Sequence, residues 1–472
     1  MFRSWPALSC AVFGMGAVIT GCTTYEPRPL DPARHRADWH NRSAGDESVL
    51  LFADRLAERA ANPAPAFDPD DGLTLPEGEL VAMVFHPDLR LARLRAGVAS
   101  ASAEHAGRWD DPEFSIDVLR ITEGVANPWI VTPGLAITIP ISGRLGVERD
   151  RADAALRAEI ERVAEQEWAV RHELRLAWLG WSAASLRLEE HERLLKSISD
   201  LSNSTALLAE AGELLRTEAA LFAIERSQRG YELHRLRGAV AEAEQRVRAV
   251  LGLSPGAPIE LVPSLDVHGY ADDGGPSEAA AGNQTLARLR TEYEVAEQTL
   301  RREIRKQYPD LTIGPLYESD EGQSRVGLFG AIPVPVLNAN KRGIAEAEAE
   351  REFARAACET EYERVVGRIA GARARARALL AEREHLVAEL VPLVDHQLAD
   401  ARRLLELGEG GGLVLLESMV RAHETKMHLI DVRLDEARVR AELAFLSGPQ
   451  IGHEDPEVSE LSDSDSGDEV DR

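Results

Sequence analysis

The sequence predicts a mainly α-helical protein with a small β part, in which a strand pair followed by a long coiled-coil helical hairpin occurs twice. Three observations predict this class. Long proline-free stretches carry apolar residues at a 3.5-residue repeat, which is the spacing of a coiled-coil seam. Short stretches alternate apolar with small or polar residues, as strands do. Landmarks of the first half recur 195 or 196 residues later, which indicates an internal duplication.

The first 21 residues have the features of a signal peptide. Arg3 precedes an apolar stretch of about 15 residues, which is shorter than the ~20 residues of a membrane-spanning helix. The stretch ends in the run Ile19-Thr20-Gly21-Cys22, which resembles the lipobox of bacterial lipoproteins. We therefore predict cleavage before Cys22 and lipidation of this cysteine. A plain secretory signal with an incidental cysteine is the alternative.

Composition shifts divide the chain into segments with different predicted structures. These are residues 1–21, a signal peptide; 22–72, a lipid-anchored extended arm; 73–252, repeat 1; 253–282, a linker; 283–448, repeat 2; and 449–472, a disordered acidic tail. The arm is rich in proline and aspartate and has one short helix near residues 48–60. The tail has too few apolar residues to fold.

The duplication is indicated by four pairs of positions that share nearly the same offset. The pairs are residues 91–95 with 286–290, Pro140 with Pro335, Gly212 with Gly408, and Leu251 with Leu446. Each copy begins with a helix, predicted over about 77–107 and 283–306. A strand pair and two long helices follow in each copy.

The strand pairs are predicted from alternation. Apolar residues from Val131 to Ile141 alternate with small or polar ones, and the partner strand at 113–121 has Phe114, Ile116 and Val118 on one side. In the second copy, strands are predicted over 311–317 and 325–336, where apolar and polar residues alternate less regularly. Strands of about 9–11 residues can cross a bilayer when tilted, but two ordinary soluble hairpins would give the same pattern.

The long helices are predicted over about 147–208 and 342–405, each followed by a returning helix. The first carries two apolar stripes, so it can pack on both sides, as in the wall of a helical barrel. At 1.5 Å per residue it would extend roughly 100 Å. Pro392 should kink the second long helix near Leu390.

Charge and motif content exclude several functions. The net charge of −26 argues against a nucleic-acid partner, which requires a basic face. The 13 histidines include no pair at i,i+3 or i,i+4 on a helix, so no metal site is expected. The glycine-rich run at 408–412 lacks the Lys-Ser/Thr of a phosphate loop, and no nucleophile motif occurs. We therefore expect neither an enzyme nor a cofactor.

Gly212 and Gly408 each stand between a long helix and its returning helix, so each is predicted to mark a hairpin tip. Acidic residues follow both glycines, with Glu218 in the first copy and Glu417 in the second. The simplest interpretation is a solvated helix end, because the dipole of the returning helix favours acids in its first turns.

Two passages of the sequence carry a family resemblance. Residues 332–347 combine paired prolines with Gly343-Ile344 before an Ala/Glu run, and residues 73–77 and 86–89 form a distinctive opening to the first helix. Together they resemble the TolC-like outer-membrane efflux proteins, over about 45–448. The paired prolines are most similar to the heavy-metal (cobalt-zinc-cadmium type) branch of outer-membrane efflux lipoproteins. The first copy departs from this form, since Pro140 stands alone.

The resemblance implies a homotrimer in the bacterial outer membrane, in which a 12-stranded β-barrel sits on a periplasmic α-helical barrel. It implies a passive exit duct of a tripartite efflux system, with a periplasmic adaptor protein and an inner-membrane proton-driven pump as partners. It also makes Glu218 and Glu417 candidate pore-gate carboxylates. The family often has aspartate near the tips, whereas this chain has these glutamates. A lipid-anchored periplasmic coiled-coil scaffold or adaptor without a channel remains the alternative.

Replacing the sulfur atom of Cys22 tests the lipidation prediction. Cys22→Ser removes the acceptor sulfur, so labelling with a radioactive or clickable fatty acid should be lost and recovery in the outer-membrane fraction should fall. Cys358→Ser is the matched control and should label like the parent. Unchanged labelling of the Cys22→Ser protein would exclude the lipoprotein prediction.

Overall fold

The computed structural model describes residues 24–59, 67–69, 71–122, 124, 128–266, 274–320, 323–407, 409 and 411–449. The chain divides after Arg42 into two compact units. In the first unit, helix α1 (Pro32–His40) begins at Asp31, whose carboxylate accepts a hydrogen bond from the Arg34 N–H at 3.0 Å. The sequence predicts an extended arm here, and α1 corrects that prediction, because Asp-Pro is a strong helix start.

The second unit is mainly helical with a small antiparallel sheet, which confirms the predicted mainly α class. Its elements in chain order are α2 (Glu47–Arg59), α3 (Leu75–Phe85), α4 (Pro87–His105), β1 (Glu113–Arg120), β2 (Trp129–Ile139), α5 (Arg144–Glu210), α6 (Arg216–Val250), α7 (Gln284–Arg305), β3 (Leu311–Asp320), β4 (Gln323–Ala331), α8 (Lys341–His385), α9 (Val391–Glu406) and α10 (Gly412–Ser447). The same order of helix, strand pair and long hairpin therefore occurs twice.

The first helix of repeat 1 differs from its prediction. The sequence predicts one helix over about 77–107, whereas α3 ends at Phe85 and α4 starts at Pro87. Pro87 has no N–H to donate and disfavours helical backbone at the preceding residue. His86 accordingly leaves the helical region, with ψ of 128°, and its Nδ1 caps α4 by accepting from the Asp88 N–H.

The four strands form one antiparallel sheet in the order β1-β2-β3-β4. The central pair, β2 with β3, joins the two repeats and pairs Ile137 with Ile313. The sequence predicts the last strand over 325–336, but β4 ends at Ala331. Pro333 and Pro335 follow, and a proline cannot donate to a strand ladder.

The strand register separates the sheet into an apolar face and a face with more small and polar residues, which also carries Leu119, Ile130 and Phe329. Phe114 lies opposite Leu135 and Val118 opposite Val131 on the apolar face, while Ser115 lies opposite Gly134 on the other. The second strand pair continues the apolar face with Tyr317–Val326 and Pro315–Leu328. Much of this face is open in the single chain: Val326 is 83% and Leu328 80% exposed.

Both strand pairs pass into their long helices through a left-handed residue. Gly143 precedes α5 with φ of 71°, and Asn340 precedes α8 with φ of 54°. A glycine adopts this region at little cost, and asparagine does so more readily than most residues. At the first junction Arg144 bridges Asp310 at 2.7 Å and Asp110 at 2.6 Å, which ties the base of α5 to both repeats.

At the second junction Glu303 is the central group. Asn340 donates from Nδ2 to the Glu303 backbone oxygen and carboxylate at 2.9 Å, and Lys306 and Arg302 also donate to this carboxylate. Burial would raise the pKa of Glu303, but the hydrogen bonds from Lys306, Asn340 and Arg302 outweigh burial and lower its pKa to about 2. The charged carboxylate therefore stabilises the turn into α8.

The long helices pack side by side in the order α6, α5, α10, α8. Helix α5 has 67 residues, about 100 Å of helix, and packs Leu179 and Ala183 against the Leu434 side of α10. On its other side α10 packs against α8 through apolar side chains that include Val439 and Ile369. A π-helical turn, Leu386–Leu390, separates α8 from α9, at the position where the sequence predicts a kink before Pro392.

The segment between the repeats is packed against both of them where the structure describes it. Its last part, the short helix Pro276–Ala279 and the turn Ala280–Gly282, places Ala280 in the core of repeat 2. Leu253 and Ala257 belong to the core around Trp178, and Leu261 pairs with Leu73 as a parallel bridge. The Trp178 Nε1 donates to the Val262 carbonyl at 3.2 Å. The sequence predicts a linker over 253–282 from its proline and glycine content, but its first part is a structural layer over α5.

The Glu303 cluster predicts a pH-dependent stability. Because the folded pKa lies below the ordinary value of 4.5, the carboxylate contributes stability above about pH 4.5 that is lost as the pH falls toward 2. Glu303→Gln should lower the free energy of unfolding by about 2–3 kcal/mol at pH 7, and by much less at pH 3, when the detergent-solubilised protein is unfolded with denaturant. Glu346→Gln is the control: this carboxylate is exposed in its ion pair with Arg342, so its loss should cost under about 0.5 kcal/mol. Equal losses at both pH values would contradict the assignment.

Candidate functional site

The two hairpin tips lie at the same end of the long helices and touch each other. Between the tips, Phe222 of α6 has no exposed surface. A Cβ built on Gly412, the first residue of α10, would lie 3.1 Å from the Phe222 ring. Apolar side chains of α5, α9 and α10 pack just behind this contact: Leu194, Ile198, Ala401, Leu415 and Met419. The fold therefore brings the tip regions of both repeats together.

Gly212 occupies the turn between α5 and α6, where the sequence predicts a tip. Its φ is 80°, and the following Glu213 N–H bonds back to the Leu208 carbonyl at 2.9 Å. This left-handed residue with a bond reaching back into the last helical turn is a common way to end a helix. An L-side chain at Gly212 would be strained even though the space around it is open.

The second tip is described only in part, because Gly408 lies outside the described residues. Helix α9 ends at Glu406, and α10 begins after Gly411, whose extended backbone caps it. The Glu409 N–H bonds to the Leu404 carbonyl at 3.0 Å. Cys22, the predicted lipidation site, also lies outside the described residues.

The two candidate gate carboxylates sit in different surroundings. Glu218 is half-buried in the first turn of α6, where the helix dipole favours an acid. Glu417 is exposed on α10, five residues after its first residue, and accepts a hydrogen bond from Arg421 Nε at 2.8 Å. In the single chain the charge of Glu417 is thus partly balanced by its own helix.

One face of helix α10 packs against no other described helix, and only at its edge does Arg187 of α5 reach Asp431. Helix α5 covers one face of α10, and α8, with α9 nearer the tips, covers a second. Residues 263–266 lie over a third face, beside Arg433, Glu436 and Arg440. The remaining face carries Glu417, Glu424 and Asp431, all exposed and spaced by seven residues, which keeps them on one side of the helix. We call this set the α10 acidic face.

Further from the tips the same side of α10 becomes mixed in charge. It opens there into a cavity of about 480 Å³ between α5, α8 and α10. Three arginines and two carboxylates line this cavity: Arg368, Arg375, Arg438, Asp435 and Glu442. The half of α10 nearer the tips thus carries the three acids of this face, with Arg421 between Glu417 and Glu424.

Sequence reasoning found Glu417 but missed Glu424 and Asp431. Their signal was present, since acids at seven-residue intervals along a coiled-coil helix share one face. Asp431 is also held from the neighbouring helix, because Arg187 Nε of α5 donates to it at 3.0 Å.

Two further properties bear on the chemistry of the chain. Among the described residues, no group of three or more histidine, cysteine, aspartate or glutamate side chains is arranged to hold a metal ion. Within the same residues, no helix combines the length and the apolar character needed to cross a membrane.

Comparison with solved structures identifies the fold. The chain matches CusC, a protein studied for folding and transmembrane channel formation, with a TM-score of 0.68 and 15% identity over 90% of this chain and 99% of that one. It matches the outer-membrane channel OprN equally well, over 90% and 98%. It matches the Campylobacter jejuni outer membrane channel CmeC with a TM-score of 0.66 and 12% identity, over 93% and 98%.

The chain has the fold of TolC-family outer-membrane channels. These solved channels are not enzymes. No protein-family model matches the sequence, and no curated protein matches it either. The TolC-type fold is therefore recognised here through structure, at sequence identities of 12–15%.

The left-handed turn at Gly212 gives a test of the first tip. Gly212→Ala should lower stability by about 1 kcal/mol, because alanine resists positive φ. Gly230→Ala is the matched control within α6, where nothing lies within 4 Å of the new Cβ, and it should stabilise by about 0.5–1 kcal/mol. Melting temperatures of the two variants should move in opposite directions. A Gly212→Ala protein as stable as the parent would show that the turn is not constrained.

Proposed function

We propose that this chain is the outer-membrane channel of a tripartite efflux system, a passive exit duct built from three identical copies. The α10 acidic face, which packs against no other described helix, carries this proposal. Residues 263–266 and the packed layer around Leu261 lie on the opposite side of the helical wall. If the wall closes into a ring with this layer outside, Glu417, Glu424 and Asp431 line the interior. A hydrated, charged inner wall is what a solute duct requires.

The sheet supports a membrane-inserted part of the same assembly. One chain contributes four strands, and among the described residues the edge strands β1 and β4 have no strand paired on their outer side. In lipid every backbone polar group needs a partner, so the sheet must close. Three copies joined edge to edge would give a 12-stranded barrel. Its apolar face, with Val326 and Leu328, would meet lipid, and its other face, with more small and polar residues, would meet water.

The remaining partners follow from the proposed role. Transport would be driven by an inner-membrane proton-driven pump, and a periplasmic adaptor would connect the pump to the hairpin tips. Lipidation of Cys22 would add an anchor in the outer membrane, while the long helices would lie in the periplasm. Heavy-metal cations are the candidate substrate class, which rests on the resemblance of residues 332–347 to the heavy-metal branch.

Oligomeric state separates this proposal from its alternative. The protein purified in detergent should be a trimer by native mass spectrometry, because the apolar sheet face and the sheet edges need neighbours. A lipid-anchored scaffold or adaptor would keep its apolar strands away from lipid. A monodisperse monomer that is soluble without detergent would therefore favour the scaffold and exclude the duct.

The role of the acidic residues is testable by conductance in planar bilayers. In a trimer, three copies of Glu417 and three of Glu218 would stand near one axis and favour cations. Glu417→Gln should lower the cation-over-anion permeability ratio by about twofold or more and weaken block by multivalent cations. Adding Glu218→Gln should extend the effect if both carboxylates line the aperture.

The matched control is Glu242→Gln, which removes an exposed carboxylate paired with Arg246 on α6. It should leave selectivity unchanged. If Glu417→Gln trimers conduct with the selectivity and block of the parent, the acidic residues serve only the helix ends. The proposed channel role would be unaffected by that result, but the assignment of these carboxylates to a gate would be wrong.

A further inference from the structure

Two buried histidines meet where the two hairpins contact each other. His191 of α5 has no exposed surface and His423 of α10 is 5% exposed. Their ring centroids are 5.5 Å apart, in an edge-to-face arrangement. The His191 Nε2 lies 2.8 Å from the Arg229 carbonyl of α6, so the pair links three helices. The Nδ1 atom of each ring has no hydrogen-bond partner within the described chain.

The pair lies close to the tips. His423 follows Gly412 by eleven residues, about 16 Å of helix, and His191 precedes the end of α5 by nineteen residues, about 29 Å. Between the pair and the tips lies the apolar cluster with Ile198 and Met419. The histidine contact thus joins α5 to α10 behind the tip cluster.

Charged groups surround the pair from all three helices. The carboxylate of Glu190 on α5 is buried and forms ion pairs with Arg193 at 2.7 Å and with Lys426 of α10 at 3.5 Å. From α6, Glu232 Oε2 lies 4.0 Å from His191 Nδ1, beyond hydrogen-bond distance. Arg229, also on α6, is paired with Glu225 and Glu232. The nearby carboxylates are therefore already matched by arginine or lysine.

These surroundings disfavour a proton on His423. Burial is the largest cause, followed by the neighbouring His191 ring, and together with Arg229 they outweigh Glu190 and Glu232 and lower the pKa of His423 to about 4. At neutral pH the packed contact therefore contains an uncharged His423. If His423 were protonated in this contact, its Nδ1–H would have no hydrogen-bond acceptor among the described residues.

We propose that the His191–His423 contact is a proton-sensitive joint between the two hairpins, which loosens the tip region when a proton enters it. If the duct proposed above is correct, acidification would favour a wider aperture. The inference about the joint itself concerns packing between helices and can be measured without conductance.

The direction follows from linkage. A histidine whose pKa is lowered in the closed contact regains its ordinary value near 6.5 when the contact opens. Opening is therefore favoured as the pH falls from about 6.5 toward 4. Between pH 7 and pH 5 the opening equilibrium should rise by up to about 20-fold.

Hydrogen exchange of the full-length protein in detergent tests this directly. After correction for the intrinsic pH dependence of exchange, amides of residues 187–198 and 415–427 should exchange about 10- to 20-fold faster at pH 5 than at pH 7. Residues 150–165, distant in α5, should show no such change. The increase should be lost in His423→Gln and also in His423→Asn, which serves as a second variant if the first does not fold.

His428→Gln is the matched control, because His428 is an exposed histidine on the same helix, 3.3 Å from Glu382. Its pH response should equal that of the parent. Protection in the parent that does not change between pH 7 and pH 5 would overturn the proposal. Equal loss of the response in His428→Gln and His423→Gln would overturn it as well. Absence of conductance at any pH would count against the duct, not against the joint.

Discussion

The pairing of β2 with β3 is the interaction on which the arrangement of the molecule depends. It is the only strand pairing among the described residues that joins the two repeats, and its register places Ile137 opposite Ile313. Because each long hairpin leaves its strand pair through a short left-handed junction, fixing the strands also fixes where α5 and α8 begin. Two hairpins of nearly equal length then run to the same end, where Phe222 meets Gly412. The ion pairs of Arg144 and the Glu303 cluster hold the junctions against slippage.

Periodic parts of the fold could be predicted from sequence, and irregular parts could not. The strands and long helices repeat one pattern over many residues, so α5 lies within three residues of its predicted start and two of its predicted end. The break at Pro87 was missed because apolar periodicity continues through it. The packed layer at 253–266 was missed because prolines and glycines suit both a free tether and an ordered layer. Only tertiary contacts, such as that of Trp178 with Val262, separate the two.

The candidate site shows the same division. Gly212 was predictable because a left-handed helix end needs glycine, and Glu417 because it follows a predicted tip. The α10 acidic face emerges only when the covered sides of the helix are known. His191 and His423 lie in different repeats and on different helices, so no spacing rule connects them. The sequence shows no helical pairing of histidines and gives no hint that these two rings touch.

The π-helical turn Leu386–Leu390 has a consequence for how this chain can change over evolutionary time. Such a turn accommodates one residue more than an α-helical turn, which rotates everything beyond it by about 100°. A single-residue deletion within this turn can be absorbed by reverting to regular helix, because the residues of α9 then keep their faces. The same deletion within α5 would carry Leu174 and Trp178 off their shared face and into solvent. Length variation among descendants of this sequence should therefore accumulate in the second hairpin, while the first keeps its residue count.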